Sequence, residues 1–419
     1  MHTHTPLPTR SATAAQTLQR PTMPLPKIPA VWLSAIVLCV LYPVALRMIA
    51  AHYQWSAAVI APACTIHMLC GGVAAWVLLR TAPPGVRAWA LLLVAVLLLA
   101  WFAVDMVNAL LVSVHLALAC AAFALLFWAL EKAGAPALPA ALRAAVPFAL
   151  CAAYFAFGWQ QCHSVAEKRY TFTTEKPLAS GTLRVAHIAD IHLGTTFSGA
   201  GFAAHLVRIK KAVPDMLVIT GDFVDDDTTK ADMLAACAAL GQFSAKYGVY
   251  YVNGNHDLGY HNYRAFGGDE LLRALQQNHV VVLRDEISTP AHGIAIIGRQ
   301  DARYRRQSIQ ELRKKISASA YAITLNHQPT DYENEAAAGV DLVLSGHTHG
   351  GQMIGMRRWL SKYNDNLYGH QRRKNTDFIV TSGMSDWAVK FKTGTRSEYV
   401  IIDIRSSDTR SSNTHEVNS

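Results

Sequence analysis

The distribution of apolar positions changes character once along the chain. Over the first 160 residues the apolar residues come in long, nearly uninterrupted runs, whereas from about residue 183 they come in short β-branched runs separated by patterns of helical spacing. A bilayer crossing needs roughly 20 apolar residues, and residues 31–51, 57–79, 88–107, 110–130 and 144–159 reach or approach that length. The third and fourth runs form one stretch too long for a single crossing, with Asp105 and Asn108 near its middle. Two crossings joined by a tight turn are therefore expected. The fifth run is short and holds Pro147, so both a crossing and an interfacial position stay open. A region of four to five transmembrane helices over 29–160 follows. Beyond a linker at 161–180, strands are expected near 183–189, 216–220, 249–252, 280–283, 294–297, 322–325, 342–344, 378–381 and 399–402. Helices are expected near 200–212, 230–245, 269–277, 307–317 and 331–338. Such alternation makes layered sheets covered by helices.

Composition agrees with a membrane-anchored chain. Of 419 residues 52% are hydrophobic and only 16% charged, which is too apolar for an ordinary soluble protein. Residues 1–160 hold two acidic side chains, Asp105 and Glu131, against eight Lys or Arg, so +6 of the formal net charge of +9 lies there, flanking apolar runs. This is the signature of membrane topology, and no nucleic-acid partner is expected. Arg80 and Arg87 fall on one side of the expected spans with Lys132 and Arg143, and Arg10, Arg20 and Lys27 precede the first. With five spans, the positive-inside rule puts everything after Trp159 outside the cytoplasm. The first apolar run starts late and is too long for a cleavable signal peptide. The polar ends, 1–28 and 406–419, are expected to be disordered. Six of seven cysteines lie in or beside the apolar runs, which leaves Cys237 alone in the soluble part and without a disulfide partner there. His67, His115 and Asp105 are expected to serve packing and loop roles in the apolar region.

Chemistry-bearing residues recur where the short apolar runs end. Asp190 and His192 follow the run at 183–189; Asp222 ends ITGD; Asn255 ends VNGN; His327 precedes Pro329; His347 and His349 stand in SGHTHGGQ. These are seven candidate metal ligands from five strand ends, with two-residue spacing in both His-bearing pairs. Mixed nitrogen and oxygen donors without thiolate suit Mn²⁺, Fe or Zn²⁺, and the donor list alone does not choose among them. Two such cations can clamp a phosphate and activate water. His256, beside Asn255, is placed to protonate a leaving alkoxide, and Asp257 to orient its imidazole through a hydrogen bond. The acidic run Asp225-Asp226-Asp227 reads first as a solvated loop, with metal loading or substrate gating as the alternative. Arg303, Arg305 and Arg306 admit two roles, neutralising an anionic group or starting a solvated helix. Trp359, Tyr363 and Tyr368 likewise suit an apolar lip at the membrane surface or core packing. His187, His205, His261, His279, His292 and His370 lack ligand spacing and are expected to pack or face solvent.

Taken in order, Asp190-x-His192, Gly221-Asp222, Gly254-Asn255-His256-Asp257, His327 and Gly346-His347-Thr348-His349 resemble the signature of the calcineurin-like metallophosphoesterase superfamily over residues 181–405. The resemblance implies a sandwich of two mixed β-sheets flanked by helices. It also implies one metal on Asp190, His192 and His349, a second on Asn255, His327 and His347, Asp222 bridging, and His256 as the catalytic histidine. SGHTHGGQ and the apolar N-terminal region look most like the membrane-anchored bacterial branch, some members of which act on phosphodiesters, including lipid-linked ones. The expected function is thus a phosphodiesterase or pyrophosphohydrolase acting on a phosphate ester near the bilayer. A sensor or scaffold that binds ligand without turnover is the competing class.

Overall fold

A computed structural model describes residues 40, 42–53, 56–80, 82–259 and 264–407. The expected disorder of 1–28 and of nearly all of 406–419 lies outside these residues, as does the first part of the run at 31–51. The chain divides into two compact units, Met1–Ala103 and Val104–Ser419.

In the first unit, α1 (Tyr42–Tyr53) precedes α2 (Ala57–Leu79) and α3 (Pro84–Val104). His67 is fully buried on α2, its Nε2 2.9 Å from the Leu98 carbonyl and its ring packed between Trp101 and Phe102. The second unit opens with α4 (Met106–Lys132) and α5 (Ala140–His163). The break between α3 and α4 falls at Asp105, whose side chain accepts the Asn108 amide N–H at 3.3 Å and so caps α4. The over-long apolar run is therefore two helices, broken at Asp105. Among the described residues, α2, α3, α4 and α5 are long and apolar enough to cross a bilayer. The fifth run is a 24-residue helix, longer than its apolar stretch suggests, because Ala140–Arg143 and Gln160–His163 extend it at both ends.

The remaining strands are β1 (Ala166–Thr174), β2 (Thr182–Ile188), β3 (Met216–Thr220), β4 (Val249–Val252), β5 (Val280–Val282), β6 (Glu286–Ala291), β7 (Ile294–Gly298), β8 (Tyr321–Leu325), β9 (Leu342–Ser345), β10 (Gly369–Arg373), β11 (Thr376–Val380) and β12 (Glu398–Ser406). They build two six-stranded sheets, in the orders β1-β12-β2-β3-β4-β5 and β10-β11-β9-β8-β7-β6. Both are mixed, since β12 runs antiparallel to β2, and β6 and β10 antiparallel to their neighbours, while the other pairs are parallel. The segment expected as a linker is corrected: nine of its twenty residues form β1, which pairs with β12 along its whole length. Its sequence AEKRYTFTT is largely solvent-facing and offers no apolar run to signal a strand.

Period-two burial sorts the side chains into three layers. Val185, Val218, Val252, Ile296, Ile323, Leu344 and Ile402 point between the sheets. Ala186, Ile188, Leu217, Ile219 and Tyr251 face the helices α6 (Gly199–Lys210), α7 (Lys230–Gly241) and α8 (Gly268–Gln277). Ile297, Ala322, Val343 and Phe378 face α9 (Ile309–Arg313) and α10 (Tyr332–Ala338). A strand covered on both faces must be apolar throughout, which is why these strands read as continuous runs and not as alternations. The result is helix, sheet, sheet, helix, as expected. The C-terminal ends of the parallel strands β2, β3, β4, β8 and β9 carry the loops of interest.

Candidate metal centre

Five strand ends bring all seven candidate ligands together. Asp190, His192 and His349 place donor atoms within 4.8 Å of one another, and so do Asp222, His327 and His347. Asp222 links the groups: its Oδ2 lies 3.2 Å from His327 Nε2 and 3.6 Å from His192 Nε2. Asn255 Oδ1 is 3.0 Å from His327 Nε2, which puts it with the second group. The backbone shows how much this convergence costs. Asp190, His192, Asp222, His347 and His349 all have positive φ, between 39° and 72°, a region that costs non-glycine residues on the order of 1–3 kcal/mol each and that concentrates at functional sites. Room for the carboxylates comes from two glycines. A Cβ on Gly254 would stand 2.2 Å from Asp222 Oδ1, and one on Gly346 2.4 Å from Asp190 Oδ2.

Three of the four imidazoles in the candidate ligand set are oriented through their other nitrogen. His327 Nδ1 is 2.7 Å from the Thr220 carbonyl, His192 Nδ1 3.1 Å from Asp225 Oδ2, and His349 Nδ1 2.8 Å from Asp386 Oδ1. Such partners fix the tautomer and ring plane of a ligating histidine. His192 Nε2 is fully buried and makes no hydrogen bond. A buried nitrogen aimed among carboxylates is unsatisfied until it meets a cation, so the donor set fits divalent metal. Burial, and then the neighbouring His327, hold the His347 imidazole down at about 3 and therefore neutral, the form a metal ligand needs. Burial opposes ionisation of Asp222, yet His327 against it holds its carboxyl well below the usual range.

The acidic run is corrected. Instead of a solvated loop, Asp225 is buried and its two oxygens bind two histidines, Oδ2 to His192 Nδ1 and Oδ1 to His256 Nδ1 at 3.0 Å. Thr228 Oγ1 fixes the turn by accepting the Asp225 amide at 2.7 Å. The expected Asp257–His256 bond is corrected with it. Asp257 turns both oxygens to backbone N–H groups of Asp222, Phe223, Val224 and Gly254, at 2.7–3.1 Å. It clamps the loop after β3 to the loop after β4. Both carboxylates lie beside the motif, and only their distances to each histidine separate orienting from clamping.

Sequence reading also missed Asp386 and Lys392. Both are fully buried, Lys392 Nζ lying 3.1 Å from Asp386 Oδ1 and 2.7 Å from the Ser382 carbonyl. A buried Asp and Lys six residues apart in a loop is a signal, but only proximity to His349 gives it meaning. Of the arginines, Arg306 binds Asn326 and Asp331, while exposed Arg303 reaches the Asn255 carbonyl at 3.3 Å. Trp387 stacks obliquely near His256, with ring centroids 5.6 Å apart. His187 packs as expected, Nε2 2.8 Å from Thr220 Oγ1, and burial pushes it down to about 3. His261 lies outside the described residues.

Residues 183–351 match the family model of calcineurin-like phosphoesterases. The chain is 32% identical over 206 residues to an uncharacterised metallophosphoesterase of Aquifex aeolicus, covering 48% of this chain and 75% of that relative. It is 27% identical over 237 residues to an uncharacterised metallophosphoesterase of Campylobacter jejuni, covering 55% of this chain and 61% of the relative. A zebrafish transmembrane protein with a metallophosphoesterase domain is 28% identical over 242 residues, covering 55% of this chain and 54% of its own length. The chain thus spans less than two thirds of the latter two relatives. Among solved structures, a dimetal phosphatase from Danio rerio aligns at 12% identity with a TM-score of 0.34, over 48% of this chain and 87% of that one.

Proposed function

Since this chain belongs to the calcineurin-like metallophosphoesterase family, we propose that it is a membrane-anchored phosphoesterase that works with two divalent cations on a phosphodiester or pyrophosphate bond close to the bilayer. The observation that carries this is the pair of donor groups joined at Asp222. In this reading Asp190, His192 and His349 hold one cation, Asn255, His327 and His347 the other, and Asp222 both. When bound, the pair supplies Lewis acidity and neutralises phosphate charge. The protein's own contribution is orientation and proton transfer. His256, held through Nδ1 by Asp225, presents its other face to the phosphate and donates a proton to the departing alkoxide oxygen. Trp387 limits water on that side. The α/β domain of residues 181–405 is extended in this reading by β1, and α2–α5 are its membrane anchor.

Purified full-length protein with added Mn²⁺ should hydrolyse bis(p-nitrophenyl) phosphate. Asp222→Ala and His256→Ala should each lose most of that activity, about 100-fold or more, while Asp222→Ala should also reduce bound metal. Full activity in both variants overturns the reading.

A further inference from the structure

Large exposed apolar side chains of the α/β domain are mostly scattered, but one group is contiguous in sequence. Ile354, Met356, Trp359 and Tyr363 are 69%, 43%, 53% and 63% exposed, and Trp387, on the loop that carries Asp386, is 48% exposed. Such a concentration on a water-facing surface marks an interaction site. Its neighbours say what covers it. Met353 is buried against Cys151 and Phe155 of α5, in a cluster that also takes in Leu111 and Leu116 of α4 and Phe391 of the Trp387 loop. The Phe391 ring meets Phe155 edge-on at 4.8 Å.

Phe155 is the sixteenth residue of α5. At 1.5 Å per residue it lies about 6 Å before the end of the apolar run at Trp159, within the edge of a bilayer's apolar layer. The segment that begins at Met353 therefore starts at membrane depth and climbs to the domain surface. Further polar ties hold the loop there: Asn108 Nδ2 donates to the Ala388 carbonyl at 2.9 Å, and the Ile354 amide to Thr393 Oγ1 at 3.1 Å. Exposed Arg358 and Lys362 interleave with the aromatics. Aromatic and basic side chains in alternation suit the boundary between acyl chains and anionic headgroups.

We propose that residues 353–363, with Trp387, form an interfacial docking surface that seats the mouth of the metal centre in an anionic bilayer surface. This rests on α4 and α5 being membrane-spanning, and not on catalysis. The pair Trp387–His256 places one edge of this surface at the metal centre itself.

Hydrogen–deuterium exchange of the full chain tests it without an activity assay. Nanodiscs of phosphatidylcholine with phosphatidylglycerol are compared with nanodiscs of phosphatidylcholine alone and with detergent micelles. Backbone amides of 353–363 should exchange about tenfold more slowly in the anionic nanodiscs than in micelles. The zwitterionic nanodiscs should fall between. The double variant Trp359→Ser/Tyr363→Ser should lose this protection while β2–β4 keep theirs, and Val207→Ser, at an exposed position of α6, should not. Equal exchange of 353–363 in all three environments, or protection that survives the double variant, overturns the proposal. The proposed hydrolysis is tested separately, on the soluble diester.

Discussion

Two carboxylates separated by three positions, Asp222 and Asp225, take different work because they stand at different points of the loop that follows β3. Asp222 stands two residues beyond the end of β3 with φ of 50° and faces both donor groups, whereas Asp225 meets the Nδ1 atoms of two imidazoles and accepts the Asp226 amide. Replacing Asp225 by Ala leaves His192 and His256 free to rotate and to change tautomer. Partners of this kind are worth about 10–100-fold in metal affinity or activity. Asp225→Ala should lower turnover of the soluble diester within that range with far less change in KM, and Asp225→Asn should recover part of it. A loss confined to KM would contradict the orienting role. The candidate ligands are legible because they follow apolar runs, three of them directly after a glycine: Gly221-Asp222, Gly254-Asn255 and Gly346-His347. Asp225, Asp257 and Asp386 were not, since a carboxylate that orients a ring and one that clamps backbone look alike until the loops are folded.

Elements were legible in proportion to their burial. The seven strands β2, β3, β4, β7, β8, β9 and β11 are covered on both faces and stand out as apolar runs. Strands β1, β6 and β10 lie at sheet edges, half exposed, and their sequences AEKRYTFTT, EISTPA and GHQRR carry little apolar signal. Edge strands favour such polar content because it resists pairing with other chains. Helix α10 brings a buried charge to this layer. Glu335 is fully buried, 3.9 Å from Arg299 Nη1, which Asp331 also shares at 3.4 Å. Burial outweighs Arg299 and raises the Glu335 carboxyl from its ordinary 4.5 to about 8. Between these values the folded state keeps a proton that the unfolded chain has lost, so stability falls as pH rises from 4.5 to 8. Glu335→Gln removes that slope. Its unfolding free energy should therefore exceed the wild-type value by a margin that grows with pH across this window, on the order of a few kcal/mol at the alkaline end. A margin independent of pH would show that Glu335 is ionised throughout.

At the scale of the whole chain, the distribution of charge predicts which side of the bilayer the domain faces. Arg80 and Arg87 flank the junction of α2 and α3, and Lys132 and Arg143 that of α4 and α5. If both junctions are cytoplasmic, the C-terminal end of α5 is not, however many spans precede α2. A fusion of alkaline phosphatase after Ser419 should be active and a fusion of green fluorescent protein dark. The reverse pattern would place the metal centre in the cytoplasm.

The position of β12 has a consequence in time. It lies between β1 and β2, so the strand made directly after the last apolar helix has no neighbour in its sheet until residues 398–406 have been synthesised. More than 200 residues separate β1 from that partner. Closing so long a loop is slow. The nascent domain must therefore wait with an open sheet, and the candidate ligands at the ends of β2 to β4 acquire their final frame only when the chain is nearly complete.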